Sequence, residues 1–306
     1  MMIISAKEIE DLGISPKTCV EWVIRSFMMK DSAQLPAKIS VHPVNNDFFT
    51  TMPCLLPSDI KRFGVKIVSR ILGREPALKS DLLLYDSSNG DLLALLSADW
   101  ITSMRTGATA ALAIKTFRRS KVSKYSFIGL GATAKATVKC LLDYFPDEYF
   151  NICLFRYKEQ AEQFASYFGK NNRVSFSIVD TMEDLLKDAG VLVSCITEAH
   201  ELLVKDDSLF EPGILVVPVH TRGFQNCDLF FDKVYADDTD HVKGFRYFSA
   251  FHYFDEISNV IAQKSVGREN DFERILSYNI GLGLHDAYFA SHVYDMINTE
   301  SRGKYL

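Results

Sequence analysis

The spacing of apolar and polar positions divides the first third of the chain into a helical and a strand-like stretch. Residues 5–30 have helical periodicity with a break at Gly13-Ile14-Ser15-Pro16, where Ser15 reads as an N-cap and Pro16 as the first helical residue. Val20, Val23, Ile24 and Phe27 then fall on one face. From residue 38 to about 96 the period shortens to that of strands, with candidates at 38–42, 48–52, 64–68, 81–86 and 92–96. The last two flank Ser87-Ser88-Asn89-Gly90-Asp91, whose Asn-Gly pair suits the positive φ of a hairpin turn. Residues 98–117 read as a long helix. Further on, strands are predicted at 149–155, 174–179, 191–197, 213–219 and 233–236, with a helix at 181–189. This alternation implies a parallel, doubly wound sheet. Residues 269–296 return to a helical pattern, interrupted near Gly281-Leu282-Gly283.

One strand-to-helix junction carries more than periodicity. Phe127-Ile128-Gly129-Leu130-Gly131-Ala132-Thr133-Ala134 has the spacing G-x-G-x-x-A between an apolar strand and a helix over 132–144. Gly129 permits a tight turn and Gly131 lets the backbone approach a pyrophosphate. Ala134 leaves room for the helix to pack, and the N–H groups of Ala132 and Thr133 at the helix start hold the anion. A plain strand–turn–helix is the alternative reading. The following strand usually ends in an acid that takes the ribose 2′-hydroxyl of NAD. Here it ends Phe155-Arg156-Tyr157-Lys158, with no acid before Glu159. Arg156 and Lys158 would attract a 2′-phosphate, so NADP(H) is preferred over NAD(H), unless both are solvated loop cations.

The order of several short motifs resembles the ornithine cyclodeaminase/mu-crystallin family. They are Met52-Pro53, Gly64-Val65-Lys66-Ile67-Val68, the hairpin from Leu84 to Ala94, Arg105-Thr106-Gly107-Ala108, Gly267-Arg268 and Gly281-Leu282-Gly283-Leu284-His285-Asp286. The resemblance runs from about residue 30 to 295. It implies an α/β protein with a mixed α+β substrate and dimerisation domain over 1–115, completed by a C-terminal helix at 281–306. A Rossmann-type dinucleotide-binding domain would span 116–280. It also implies a homodimer formed through the substrate domains.

Members of that family act on amino acids or their imines, whose carboxylate needs cations. Lys66 lies in an otherwise apolar strand and Arg105 in a helix of small and apolar residues, a costly placement unless each meets an anion. A structural ion pair or a snorkelling side chain is the other reading. The resemblance makes Lys66 and Arg105 carboxylate-binding and catalytic, with Lys66 assisting proton transfer. It adds Met52 and Lys38 to the substrate site, although Lys38 stands where the family often has an Arg. It places Thr106 and Thr197 with the cofactor. After the strand at 213–219 the chain reads Pro218-Val219-His220-Thr221-Arg222, with Arg222 where cyclodeaminases and alanine dehydrogenases carry an Asp. Thr221-Arg222 is closer to the ketimine-reductase branch, and Arg222 joins the substrate residues. His220 could supply a proton near neutral pH, or be a solvent-facing loop histidine. Thr50 likewise replaces an acid of the cyclodeaminases. The implied activity is NAD(P)H-dependent reduction of a ketimine carboxylate or oxidation of the matching amino acid. Its rivals are an NAD-dependent cyclodeaminase that releases ammonia and a non-catalytic NADPH-dependent binding protein.

The bulk properties narrow partners and compartment. A net charge of −5 on 306 residues, with no basic run, argues against nucleic acid and anionic membranes. No apolar run approaches the roughly 20 residues of a membrane span, and Met1 to Glu8 lacks a signal-peptide plan. Six scattered cysteines without a C-x-x-C suggest reduced core thiols, hence the cytoplasm, and no His cluster suggests a metal.

Overall fold

The computed structural model describes residues 1–44 and 47–303, with side chains described to residue 299. In chain order the elements are β1 (Met2–Ile4), α1 (Ala6–Asp11), α2 (Pro16–Met28), β2 (Ile39–Val41), β3 (Phe48–Leu55), β4 (Arg62–Arg70), β5 (Leu78–Asp86), β6 (Leu92–Ser97) and α3 (Asp99–Phe117). They continue with β7 (Tyr125–Ile128), α4 (Ala132–Tyr144), β8 (Phe150–Phe155), α5 (Gln160–Phe168), β9 (Val174–Val179), α6 (Met182–Leu186), β10 (Val191–Ser194), β11 (Leu215–Pro218), α7 (Cys227–Phe230), β12 (Lys233–Ala236), α8 (Thr239–Val242), β13 (Phe254–Glu256), α9 (Ile257–Ile261), β14 (Ile275–Tyr278) and α10 (Gly283–Gly303). The chain forms two compact units, Met1–Arg105 with Leu282–Leu306, and Thr106–Gly281. The division falls inside α3 rather than near residue 115.

The first unit is a six-stranded sheet in the order β1-β6-β5-β4-β3-β2, antiparallel except for the β1–β6 pair. Ser15 caps α2 through Thr18 N at 3.0 Å, with Pro16 at its first turn. In the sheet, period-2 alternation sorts side chains by face. The row Met52, Lys66, Leu82, Leu96 and Ile4 is buried. The adjacent row of Pro53, Val65, Leu83 and Leu95 is half-buried, and Ile3 at its end is exposed. Helix α10 lies on the buried face. Its approach depends on two glycines: a Cβ at Gly64 would stand 2.7 Å from Ala287 Cβ, and one at Gly283 3.0 Å from the Pro53 carbonyl oxygen.

The second unit is an all-parallel eight-stranded sheet in the order β13-β12-β14-β11-β10-β7-β8-β9. It is a Rossmann-type, doubly wound arrangement, and the chain reverses its direction of winding between β7 and β10. The helical pattern predicted across 269–296 is corrected here. Ile275–Tyr278 is a fully buried strand inserted between β11 and β12. Four consecutive buried residues, Ile275, Leu276, Ser277 and Tyr278, carry no in–out alternation, so periodicity alone could not separate this strand from a helix.

Among the described residues no helix is long and apolar enough to cross a membrane. The six cysteines are free thiols, Cys195 half-buried and the others buried.

Candidate functional site

The first unit gathers charged side chains in its interior. Alternation along β4 turns Lys66 inward, cross-strand to Met52 and Leu82, and leaves it fully buried. The opening turn of α10 brings Asp286 beside it. One carboxylate oxygen, Oδ2, lies 2.8 Å from Lys66 Nζ, and the other, Oδ1, accepts a hydrogen bond from Arg105 Nε at 2.9 Å. Helix α10 is fixed against α2 by a 2.6 Å hydrogen bond between Ser26 Oγ and His285 Nδ1 and by Trp22, edge-on to Phe289 and stacked on His292.

Removing such charges from water costs several kcal/mol per ion in real proteins, offset only by close, hydrogen-bonded geometry. One carboxylate here serves two cations, so the trio has surplus positive charge whenever Lys66 is protonated. The charge is felt at Lys66 itself. Burial brings its pKa down to about 7, helped by Arg105 and Lys38, while the nearby Asp286 carboxylate opposes the shift. Burial pushes Asp286 upward, but Arg105 and Lys66 outweigh it and hold the carboxyl below its ordinary value. Burial, with Asp286 adding to it, pushes the neighbouring Cys54 thiol up to about 12, which makes it a poor nucleophile.

The second unit holds a cradle at its winding reversal. Gly129 has φ +80°, and a Cβ there would stand 2.5 Å from the backbone of Cys195 and Ile196. Only glycine fits. At Gly131, by contrast, a Cβ would meet nothing within 4 Å, and no side chain caps the helix that starts there. The first N–H groups of α4, where Ala132 and Thr133 sit, therefore face an open approach. A cavity of about 450 Å³ is lined by Gly129 and Gly131 from the β7 turn, Tyr157 beyond β8, Gln160 at the start of α5, and Thr197 and Glu198 beyond β10. Ala134 is buried, as close helix packing requires. Gly107 serves the same packing: a Cβ there would be 2.6 Å from the Ala136 backbone. Room above Gly131, an uncapped helix N-terminus and a cleft at the strand ends fit a dinucleotide.

The other predicted residues distribute unevenly. Thr106 is buried on α3. Arg156 lies outside the cavity lining, with its Nε donating to Asp180 at 2.8 Å and a second nitrogen donating to Glu162. Lys158 has φ +50° and its ammonium lies 5.4 Å from the centre of the Tyr157 ring. His220 forms a 2.6 Å hydrogen bond with Ser194 Oγ instead of facing solvent. Burial lowers its pKa to about 4, partly countered by a backbone hydrogen bond at Arg222, so the ring is neutral near pH 7. Arg222 is exposed, on a separate cavity of about 620 Å³ with His200, Gln225, Asn226, Arg246 and Tyr247. The structure thus brings together Lys38, Met52, Lys66 and Arg105 in one unit, and Gly129, Gly131 and Thr197 in the other. In the sequence Asp286 appears only as the last residue of the Gly281–Asp286 motif, with no place among the substrate or cofactor residues. The placement of Lys66 in an otherwise apolar strand and of Arg105 in a helix of small and apolar residues was the signal that a buried carboxylate had to answer them.

A Rossmann-type domain with an open glycine turn, and a second domain with buried cations shared by one carboxylate, define a class of dinucleotide-binding α/β proteins. Within it, the chain belongs to the ornithine cyclodeaminase/mu-crystallin family, whose model matches residues 1–301. It is 26% identical over 272 residues to the nodulation efficiency protein NfeD of Rhizobium meliloti, covering 85% of this chain and 83% of that protein. It is 24% identical over 322 aligned positions to the Delta(1)-pyrroline-2-carboxylate reductase of Bacillus cereus, covering 96% of each. The Delta(1)-pyrroline-2-carboxylate reductase of Thermococcus litoralis, solved with NADH and L-proline, has the same fold. Its TM-score is 0.86, with 23% identity and 98% of each chain covered.

Proposed function

We propose that the protein is an NAD(P)H-dependent oxidoreductase that reduces a small imine bearing a carboxylate, or in reverse oxidises the corresponding amino acid. The observation that carries this reading is the buried trio of Lys66, Arg105 and Asp286, whose surplus positive charge matches one carboxylate of a ligand. Lys38 adds to that charge, and Met52 flanks Lys66 on the neighbouring strand. Family membership and the relatives named as reductases support the same chemistry. When bound, a nicotinamide dinucleotide supplies or accepts the hydride. Gly129, Gly131 and the first turn of α4 would hold its pyrophosphate, and Thr197 lines the same cavity. Lys66 is suited to deliver a proton to the imine nitrogen, because a pKa of about 7 lets it exchange that proton near neutral pH.

NADP(H) is the proposed cofactor, on the cations Arg156 and Lys158 at the end of β8. The ion pairs of Arg156 with Asp180 and Glu162 are half-exposed, so they are weak enough for a 2′-phosphate to displace. A homodimer is proposed through the half-exposed apolar row Pro53, Val65, Leu83 and Leu95 with Ile3, and the cytoplasm as its compartment. The test is NADPH and NADH consumption, followed by nicotinamide absorbance, with a panel of imino acids beginning with Delta(1)-pyrroline-2-carboxylate. Consumption with one panel member is the expected result. Dinucleotide binding without consumption of any would overturn the reading, and ammonia release from a diamino acid without net cofactor turnover would replace it with a cyclodeaminase.

A further inference from the structure

We propose that Asp286 is a positioning residue for the reaction: a buried carboxylate on α10 that orients the Lys66 ammonium and the Arg105 guanidinium and keeps Lys66 protonated for use. The inference rests on the proposed reductase reading but assigns a role to a residue outside its substrate and cofactor sets.

The geometry sets what Asp286 can do. Each of its oxygens faces a different cation, at 2.8 and 2.9 Å, and its side chain is 1% exposed. Both carboxylate oxygens are thus taken up by the two cations, Oδ2 by Lys66 and Oδ1 by Arg105. Three features of the chain fix the carboxylate there: Gly64 and Gly283 let α10 descend onto β3 and β4, and Ser26 holds the adjacent His285. The charged and titratable groups around Lys66 are Asp286 on α10, Arg105 on α3 and Lys38 before β2, with the Cys54 thiol on β3 near Asp286. Of these, Asp286 alone favours the protonated form of Lys66; Arg105, Lys38 and burial disfavour it. Without Asp286 the lysine would give up its proton at lower pH and both cations would lose a fixed orientation.

Imine reduction needs a proton on Lys66, so the rate should fall as pH rises through the Lys66 pKa. In Asp286→Asn that limb should move to lower pH, with kcat near pH 7.5 falling about tenfold per pH unit moved and partly recovering on acidification. KM for Delta(1)-pyrroline-2-carboxylate, or the best panel member, should rise while NADPH affinity stays unchanged. Asp286→Glu keeps the charge but displaces it, so kcat should fall with the limb near its wild-type position. A merely structural residue would lower the amount of folded enzyme without moving the limb. Wild-type kcat, KM and pH profile in Asp286→Asn would overturn the proposal. If that variant does not fold, Asp286→Glu carries the test, and an unchanged kcat overturns it. A wild type that turns over no imino acid would sink the reductase reading instead. The role of Asp286 is then read from the Lys66 titration itself, by NMR of ¹³C-labelled lysine. A lower titration point in Asp286→Asn supports it, and an unchanged one overturns it.

Discussion

Gly64 on β4 and Ala287 on α10 touch backbone to side chain: a Cβ at Gly64 would lie 2.7 Å from the alanine Cβ and 3.1 Å from its Cα. That contact sets the depth at which α10 rests on the sheet, and Asp286 and Lys66 lie next to it in sequence and in space. Gly64→Ala should therefore affect stability and the site together. Overpacking of this kind costs about 1–3 kcal/mol. A lower urea midpoint, with turnover reduced further than the folded fraction explains, is the expected result. An alanine variant with wild-type stability would show that α10 can retreat without consequence.

Lys66→Met separates catalysis from folding. Methionine has a similar length and carries no charge to bury, and its introduction leaves Asp286 paired one to one with Arg105. Removing one partner of a buried ion pair is destabilising when it leaves the other charge uncompensated, and here Arg105 still compensates Asp286. The melting temperature should hold, while kcat for imine reduction falls by about 10²–10⁴-fold, the usual contribution of a positioned proton donor. The pH limb near 7 should vanish with it. Retention of that limb in the variant would assign it to another group.

The hairpin, the glycine turn and the two buried cations were legible in the sequence because each has a local signature. Asn89-Gly90 announces a turn, Gly129 and Gly131 sit at a fixed spacing, and a lysine among valines and isoleucines stands out. The strand at Ile275–Tyr278 was not legible, because burial on both faces erases the alternation that identifies a strand. Neither was the partnership of Asp286 with Arg105, since 181 residues separate them and only the fold brings them together. The carboxylates around Arg156 were hidden in the same way, arriving from α5 and from beyond β9.

Those carboxylates give the cofactor preference a sharper test. If Arg156 receives a 2′-phosphate, Arg156→Ala should weaken NADPH about 10- to 100-fold, the worth of a charge-assisted hydrogen bond, and NADH much less. Glu162→Gln with Asp180→Asn should do the opposite, releasing the guanidinium and tightening NADPH. Dissociation constants from nicotinamide fluorescence decide this. Equal losses for both cofactors in Arg156→Ala would remove the assignment.

Asp228 links the stability of the second unit to pH. Its carboxyl is 1% exposed, with one oxygen accepting a hydrogen bond from the Tyr278 hydroxyl at 2.9 Å and the other without a hydrogen-bond partner. Burial raises its pKa from 3.8 to about 7, against the smaller opposing effect of the Tyr278 bond. Between these values the folded chain binds a proton that the unfolded chain has released. This contribution to stability is therefore full below the ordinary carboxylate pKa and is lost as pH rises toward about 7. Asp228→Asn cannot ionise, so its stability should lack this slope. Relative to wild type it should gain on the order of 2–4 kcal/mol between about pH 4 and pH 7, whatever its absolute level. Urea midpoints measured across that range test the difference, and parallel curves for the two proteins would mean that Asp228 is not protonated in the native state at these pH values.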